Sequence, residues 1–191
     1  MSEDMDNPAD LVIDFVNTYD VESDADSIPT PAALATWLGE RGLIRPGEVA
    51  GETDLATAVG LRDGLRAALR HDHDRPGGAD GHGVGHGAGL PRAFAALPLR
   101  VTLTADGPVL EPVVTGVLGG LAEIAAAVMG THADGMWPRL KVCAENTCQW
   151  AFVDSSKNRS RSWCSMRVCG NRAKTRAYRA RRQTEPGSRH L

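Results

Sequence analysis

The four cysteines of this 191-residue chain all lie beyond residue 142, as Cys143-x4-Cys148 and Cys164-x4-Cys169. Two pairs at one spacing, joined by a short loop, form the ligand pattern of a tetrahedral all-cysteine zinc site. Zinc takes its thiolates at about 2.3 Å, so the two cysteine turns must close on each other. We therefore expect Cys143, Cys148, Cys164 and Cys169 to hold one structural Zn2+. A disulfide framework is the competing use of paired cysteines, and it requires an oxidising compartment. The segment Met1–Asp10 carries Glu3, Asp4, Asp6 and Asp10 and no basic residue. A secretory signal needs a positive start and an apolar centre. No apolar run approaches the roughly 20 residues of a membrane-spanning helix. The expectation is a cytoplasmic protein with reduced thiols, a bound metal and no membrane partner.

Charge divides the chain at the same place. The net charge is −3. Residues 1–138 hold eight Lys and Arg against 21 Asp and Glu; residues 139–191 hold 13 against three. A body at −13 is thus joined to a tail at +10. A strongly basic tail on an acidic body implies a polyanionic partner, or neutralisation by the body itself.

Upstream, hydrophobic periodicity reads as mainly helical. Leu11, Val12, Phe15 and Val16 fit a first helix, with a strand as the alternative because of the β-branched content. Asp20–Pro31 reads as a loop. Thr30-Pro31 opens a second helix, as N-cap and first-turn proline, with Leu34, Trp37 and Leu38 as its apolar stripe. A third helix is expected from about Asp54 to His71. Ala58, Leu61, Leu65, Ala68 and Leu69 form its apolar side, and Arg62, Arg66 and Arg70 lie on an adjacent face. Gly60 and Gly64 inside it point to close helix packing. Residues 72–90 read as a flexible Gly/His loop; the glycines around His82 and His86 argue against a helical metal site there. Pro91–Leu97 reads as a short helix. Leu99–Ala105 and Val109–Val114 flank Asp106-Gly107 as a β-hairpin. Val117–Gly130, with Glu123 its one charge, is expected to be the central buried helix. The fold class is α+β: a mainly helical N-terminal domain with one β-hairpin (1–136), a four-cysteine zinc module with a basic C-terminal helix (137–185), and a disordered tail (186–191).

The tail has the composition of a nucleic-acid surface. Between the cysteine pairs, Lys157, Asn158, Arg159 and Arg161 sit among serines, a phosphate-contacting mixture. After Cys169, Asn171 is placed to cap a helix carrying Arg172, Lys174, Arg176, Arg179, Arg181 and Arg182. Its small face, Ala173, Ala177 and Ala180, is expected against the zinc turns. Trp150, Phe152 and Trp163 supply the aromatic packing that a small metal module needs; Trp163 stacking on a base is the alternative. Like charges on one helix repel unless something neutralises them. Arginine forks grip phosphate or guanine, which favours DNA, with RNA a less favoured partner.

These residues resemble the CGNR zinc-finger family, in which such a module follows an N-terminal alpha/beta domain called ABATE. The match comprises Cys169-Gly170-Asn171-Arg172, the Cys143-x4-Cys148 pair, Ser160–Met166 and the Lys174/Tyr178/Arg179 tail. Asp14-Phe15-Val16-Asn17-Thr18 is similar to the family's opening segment. The Gly/His insertion near Asp80–Gly89 is not part of the family pattern. The resemblance implies a stress-related transcription regulator.

Catalysis is not expected, and no catalytic residue is assigned. Four cysteines close the zinc shell, and no Ser-His-Asp order, phosphate-cradling glycine loop or HExxH is present. The leading expectation is a DNA-binding regulator, cytoplasmic and associated with the nucleoid, whose N-terminal domain senses a small-molecule effector or forms a homodimer. The alternatives are a finger that clips an acidic protein partner, and a sensor or enzyme with a pocket near Asp14, Asn17 and Arg62. Asp14 and Asn17 are close neighbours on the first helix; a backbone bond at the helix end is the structural use of Asn17.

Overall fold

A computed structural model describes residues 7–74, 89–105 and 107–184. Most of the Gly/His segment, with His82 and His86, and the 186–191 tail lie outside the described residues. The helices are α1 (Pro8–Val16), α2 (Pro31–Glu40), α3 (Glu52–Asp74), α4 (Gly89–Ala95), α5 (Gly116–Ala133) and α6 (Asn171–Thr184). Three antiparallel two-stranded hairpins join them: β1 (Tyr19–Asp20) with β2 (Ala25–Asp26), β3 (Leu99–Thr104) with β4 (Gly107–Pro112), and β5 (Leu140–Val142) with β6 (Ala151–Val153). The fold is α+β and mainly helical, as its apolar periodicity indicates. Residues 72–74 and 89–90 are helical rather than loop, because α3 and α4 continue into the segment from both sides.

The first segment is a helix because Val12, Phe15 and Val16 recur at helical spacing and all three are buried. Asn7 caps it, its side chain accepting from the Ala9 N–H at 3.0 Å. Thr30 caps α2 in the same way, and Pro31 occupies its first turn. Gly64 allows α4 to lie directly on α3: a Cβ there would sit 2.5 Å from the Leu90 Cβ. Helix α5 supplies Leu121, Ile124, Ala125 and Val128 to the core. It is long and apolar enough by composition to cross a membrane, and core burial accounts for that composition. The β3–β4 hairpin departs from the half-buried strand expected. Leu99 packs against the core, but Val101 and Leu103 are 67% and 83% exposed. The hairpin projects beyond the helices, and no described element covers its outer half.

The stretch Asp20–Pro31 reads as a loop, yet with Tyr19 it holds the β1–β2 hairpin, and this reorganises the cationic side of α3. The hairpin folds over Arg62 and Arg66, leaving them 4% and 8% exposed. Arg62 grips Asp26 bidentately at 2.7 and 3.0 Å and donates to the Thr18 hydroxyl at 3.2 Å. Arg66 donates to the carbonyls of Val16 and Tyr19, both at 2.6 Å, and so closes the C-terminal end of α1. Burial alone would raise the Asp26 carboxyl; hydrogen bonds from Arg62 and the Ile28 N–H overcome it and hold the group below its ordinary value.

A carboxylate depressed in the folded state stabilises the protein above its unfolded pKa of about 3.9 and loses that contribution as pH falls through the lower folded value. Asp26→Ala is therefore expected to cost about 3 kcal/mol in urea unfolding at neutral pH, since it strands a buried guanidinium. The gap between variant and wild type should close as the pH is lowered below about 4, where the wild-type carboxylate protonates as well.

Candidate metal centre and basic helix

The metal site is built on a hairpin that serves two cores. Leu140, Val142 and Ala151 pack into the main core with Phe15 and Leu65. Phe152, Trp163 and the cysteines form a second cluster on the other side. Cys143 follows β5, its N–H donating to the Trp150 carbonyl at 2.9 Å. The first cysteine turn closes through Cys148 N–H to Glu145 carbonyl at 2.9 Å, and Gln149 leaves it with a left-handed φ of 51°. Ala144 N–H donates to the Ser162 carbonyl at 2.9 Å, which ties the second cysteine segment to the first. Cys169 sits in a π-helical turn, Met166–Gly170, that runs straight into α6.

All four sulfurs lie within 4.8 Å of one another. Cys148 and Cys164 are 3.6 Å apart, and Cys164 and Cys169 3.7 Å. Four Zn–S bonds of about 2.3 Å in a tetrahedron place sulfurs about 3.8 Å apart, so the cluster fits zinc. Burial disfavours a Cys143 thiolate, but N–H groups of Cys164 and Glu145 more than offset it and hold that thiol below its ordinary value. Burial, with the Cys148 sulfur close by, pushes Cys164 far up and Cys169 up to about 11. Thiolates crowded in this way need a cation among them, and a dication replaces their repulsion with bonds. The four cysteines are the ligand set of a structural Zn2+.

The loop between the cysteine pairs is wrapped around a buried ion pair. Lys141 meets Asp154 at 2.6 Å, with side chains 9% and 0% exposed. Lys141 also donates to the carbonyls of Arg159 and Arg161, and Asp154 accepts from the N–H groups of Ser156 and Arg161. This hub pins the loop and leaves Lys157, Asn158 and Arg159 exposed. Arg161, expected to face outward with them, turns inward. It donates to the carbonyls of Trp163 and Cys164 and lies over the Phe152 ring at 4.9 Å. Its neighbour Ser162 is tied to the first cysteine turn, which sets the Arg161 side chain beside the second cysteine segment.

Asn171 does not cap α6, because the helix is already running when it arrives. Ser165 caps the preceding turn, accepting from Val168 N–H at 3.4 Å, while Asn171 donates to the Arg167 carbonyl at 2.9 Å. Nor is the alanine face buried: Ala173 is half-buried, and Ala177 and Ala180 are exposed. Ion pairs fix the helix instead. Arg176 reaches both oxygens of Glu145 at 2.7 and 2.8 Å, and Arg172 meets Glu22 at 2.7 Å. The Glu145 side chain is 1% exposed, and the Arg176 hydrogen bond holds its carboxyl below the ordinary range. Arg167, Arg172, Thr175, Arg176 and Arg179 line an open groove of about 730 Å³ along the helix. Lys174, Arg181 and Arg182 are exposed as well.

Asp14, Asn17 and Arg62 do not share a pocket. Asp14 is exposed beside Arg41 at 3.7 Å, and Arg62 is committed to Asp26. Asn17 has a different task. Its amide donates to the Ala151 carbonyl at 3.0 Å and accepts from the Ala151 N–H at 2.8 Å, fastening α1 to β6 across 134 positions. A partner so remote leaves no mark in local spacing.

Asn17→Asp keeps the acceptor but sets a carboxylate against the Ala151 carbonyl. It is expected to cost about 1–3 kcal/mol in denaturant unfolding without loss of bound zinc. Stripping the metal with a chelator should unsettle both clusters together, because β5 and β6 belong to each. The melting temperature of the whole chain is expected to fall by roughly 10 °C or more in one transition. A body melting at its original temperature would contradict the shared core.

Two family models match the chain. The CGNR zinc finger model covers residues 139–182. The ABATE model, described as "Putative stress-induced transcription regulator", covers residues 9–132. No curated protein matches the chain. The first match takes in all four clustered sulfurs and α6 as far as Arg182, and the second runs from α1 almost to the end of α5. The chain belongs to the ABATE family and carries a CGNR zinc finger at its C-terminal end.

Proposed function

We propose that the protein is a zinc-dependent, DNA-binding transcription regulator. The observation that carries this reading is the exposed arginine groove of α6, mounted on a helix whose root is a zinc ligand. Arg167, Lys174 and Arg179 have no ion-pair partner among the described residues. Arginine forks in a groove match phosphate oxygens and guanine edges, and a metal-anchored helix holds them in register. Arg181 and Arg182 extend the surface, and Lys157, Asn158 and Arg159 offer a second contact. Arg172 ties the helix to the body through Glu22, and Arg176 ties it to the first cysteine turn through Glu145; Arg161 donates to carbonyls of the second cysteine segment. Four thiolates fill a tetrahedral zinc shell, so the metal supports structure rather than catalysis, which supports a non-enzymatic role. The N-terminal domain senses an effector or pairs two copies, and pairing would widen a single finger's footprint. The place of action is the cytoplasm, at the nucleoid, with DNA favoured over RNA.

Fluorescence anisotropy on duplex DNA tests this reading. The logarithm of affinity is expected to fall with the logarithm of salt by about 0.9 for each phosphate contacted. Lys174→Glu with Arg179→Glu should weaken binding at least tenfold and lower the slope by about two. Neither residue holds the helix in place, so stability should not change. A flat salt response would sink the proposal. A second reading follows from the carboxylates that α6 grips within the molecule: the helix takes an acidic protein segment. In that case the same double variant loses its protein partner while its DNA affinity is unaltered.

A further inference from the structure

A cleft of about 310 Å³ lies where the body meets the zinc finger. It is lined by Asp63, Arg66, Ala67 and Arg70 of α3, by Tyr19 and Val21, and by Gln149 of the first cysteine turn. Its volume is near the lower end of the range for small-molecule sites. The cations in it are incompletely paired. Arg66 is 8% exposed, and its Nη2 is committed to two carbonyls. Its buried Nε has no hydrogen-bond partner, and Nη1 has only Asp63 at 3.9 Å. Asp63 is also shared with Arg62 at 3.5 Å. Arg70, one turn further along the helix, has no ion pair or hydrogen bond among the described residues.

The charge count selects the ligand. Arg62 is neutralised by Asp26 outside the cleft. Among the residues that line the cleft, Arg66 and Arg70 meet one carboxylate, Asp63, so the lining carries one positive charge in excess, while Asp20 and Asp26 act on Arg66 from outside it. A buried cation without full pairing is costly, and a fixed anion completes it. Burial pushes the Arg66 guanidinium below the ordinary arginine value; Asp63 opposes this, and the neighbouring Arg62 and Arg70 add to it. One surplus charge in the lining matches a monoanion, whereas a phosphate dianion would bring a second negative charge beside the Asp63 carboxylate. Tyr19, Val21 and Ala67 offer apolar contact for an organic body. We infer that this cleft binds a small organic monocarboxylate, held by Arg66 and Arg70, with its body against Tyr19. Gln149 directly follows the zinc ligand Cys148, so an occupant touches the body and the finger at once. The site is separate from the α6 groove and does not depend on what that groove binds.

The test uses the zinc-loaded full chain and 4-fluorobenzoate, followed by fluorine NMR. A ligand of this size is expected to bind with a Kd on the order of 1 mM. Amide signals of Ala67, Arg70 and Gln149 should shift together in a nitrogen-correlated spectrum. Arg70→Gln should weaken binding at least tenfold with the unliganded melting temperature and zinc content unchanged; Arg100→Gln, on the distant β3, should change nothing. The neutral 4-fluorobenzamide and inorganic phosphate should each bind at least tenfold more weakly. Any of four results overturns the inference: no binding of the benzoate up to about 50 mM, shifts confined to other residues, undiminished binding by Arg70→Gln, or equal binding of the amide or of phosphate.

Discussion

The β5–β6 hairpin is only three residues deep on each strand, yet both halves of the molecule are assembled on it. Leu140, Val142 and Ala151 close the helical core, and Phe152 closes the metal cluster. A hairpin of this length has no stability of its own in water. It persists because apolar burial holds one side and the sulfur cluster the other. The buried Lys141–Asp154 pair then ties the intervening loop to the same hairpin. The finger is thus inseparable from the body as a matter of packing, and its helix inherits an orientation set by the core.

Parts of this were legible in the order of residues and parts were not, for physical reasons. Cysteine spacing is a local signal, since ligand geometry constrains residues five apart. Thr30-Pro31 was legible for the same reason: a cap acts on the turn that follows it. Gly64 announced a close contact without naming Leu90. Long-range partners left no such signal. The burial of Arg62 and Arg66 depends on a short hairpin in a stretch whose acidic, proline-bounded composition reads as loop. Local spacing offers Asn17 a pocket beside Asp14 or a backbone bond at its own helix end, and its partner is instead Ala151. Asn171 suited a cap by residue type, but the π-helical turn before it had already started the helix. The alanine stripe on α6 suggested burial, and paired charges took its place.

Charge also has a more divided role than its totals indicate. The basic tail is partly neutralised from within: Glu145 and Glu22 each hold an arginine, and Asp154 holds Lys141. These contacts differ in kind. Glu145 and Asp154 are buried and belong to the framework. Glu22 and Arg172 are both near half-exposed, and an exposed pair contributes at most about 1 kcal/mol. The helix is therefore held at Arg176, itself 61% exposed, by both oxygens of a buried carboxylate, and at Arg172 by an exposed pair.

The Asn17–Ala151 contact has one more consequence. In the β5–β6 pairing, Val142 lies opposite Ala151, while Asn17 takes up both the N–H and the C=O of that alanine. The side-chain amide thus stands in for a neighbouring strand. An open strand edge is a template on which another chain can add itself. Here that edge is closed from within by two atoms of one side chain. Strand addition at Ala151 is thereby denied to any other chain.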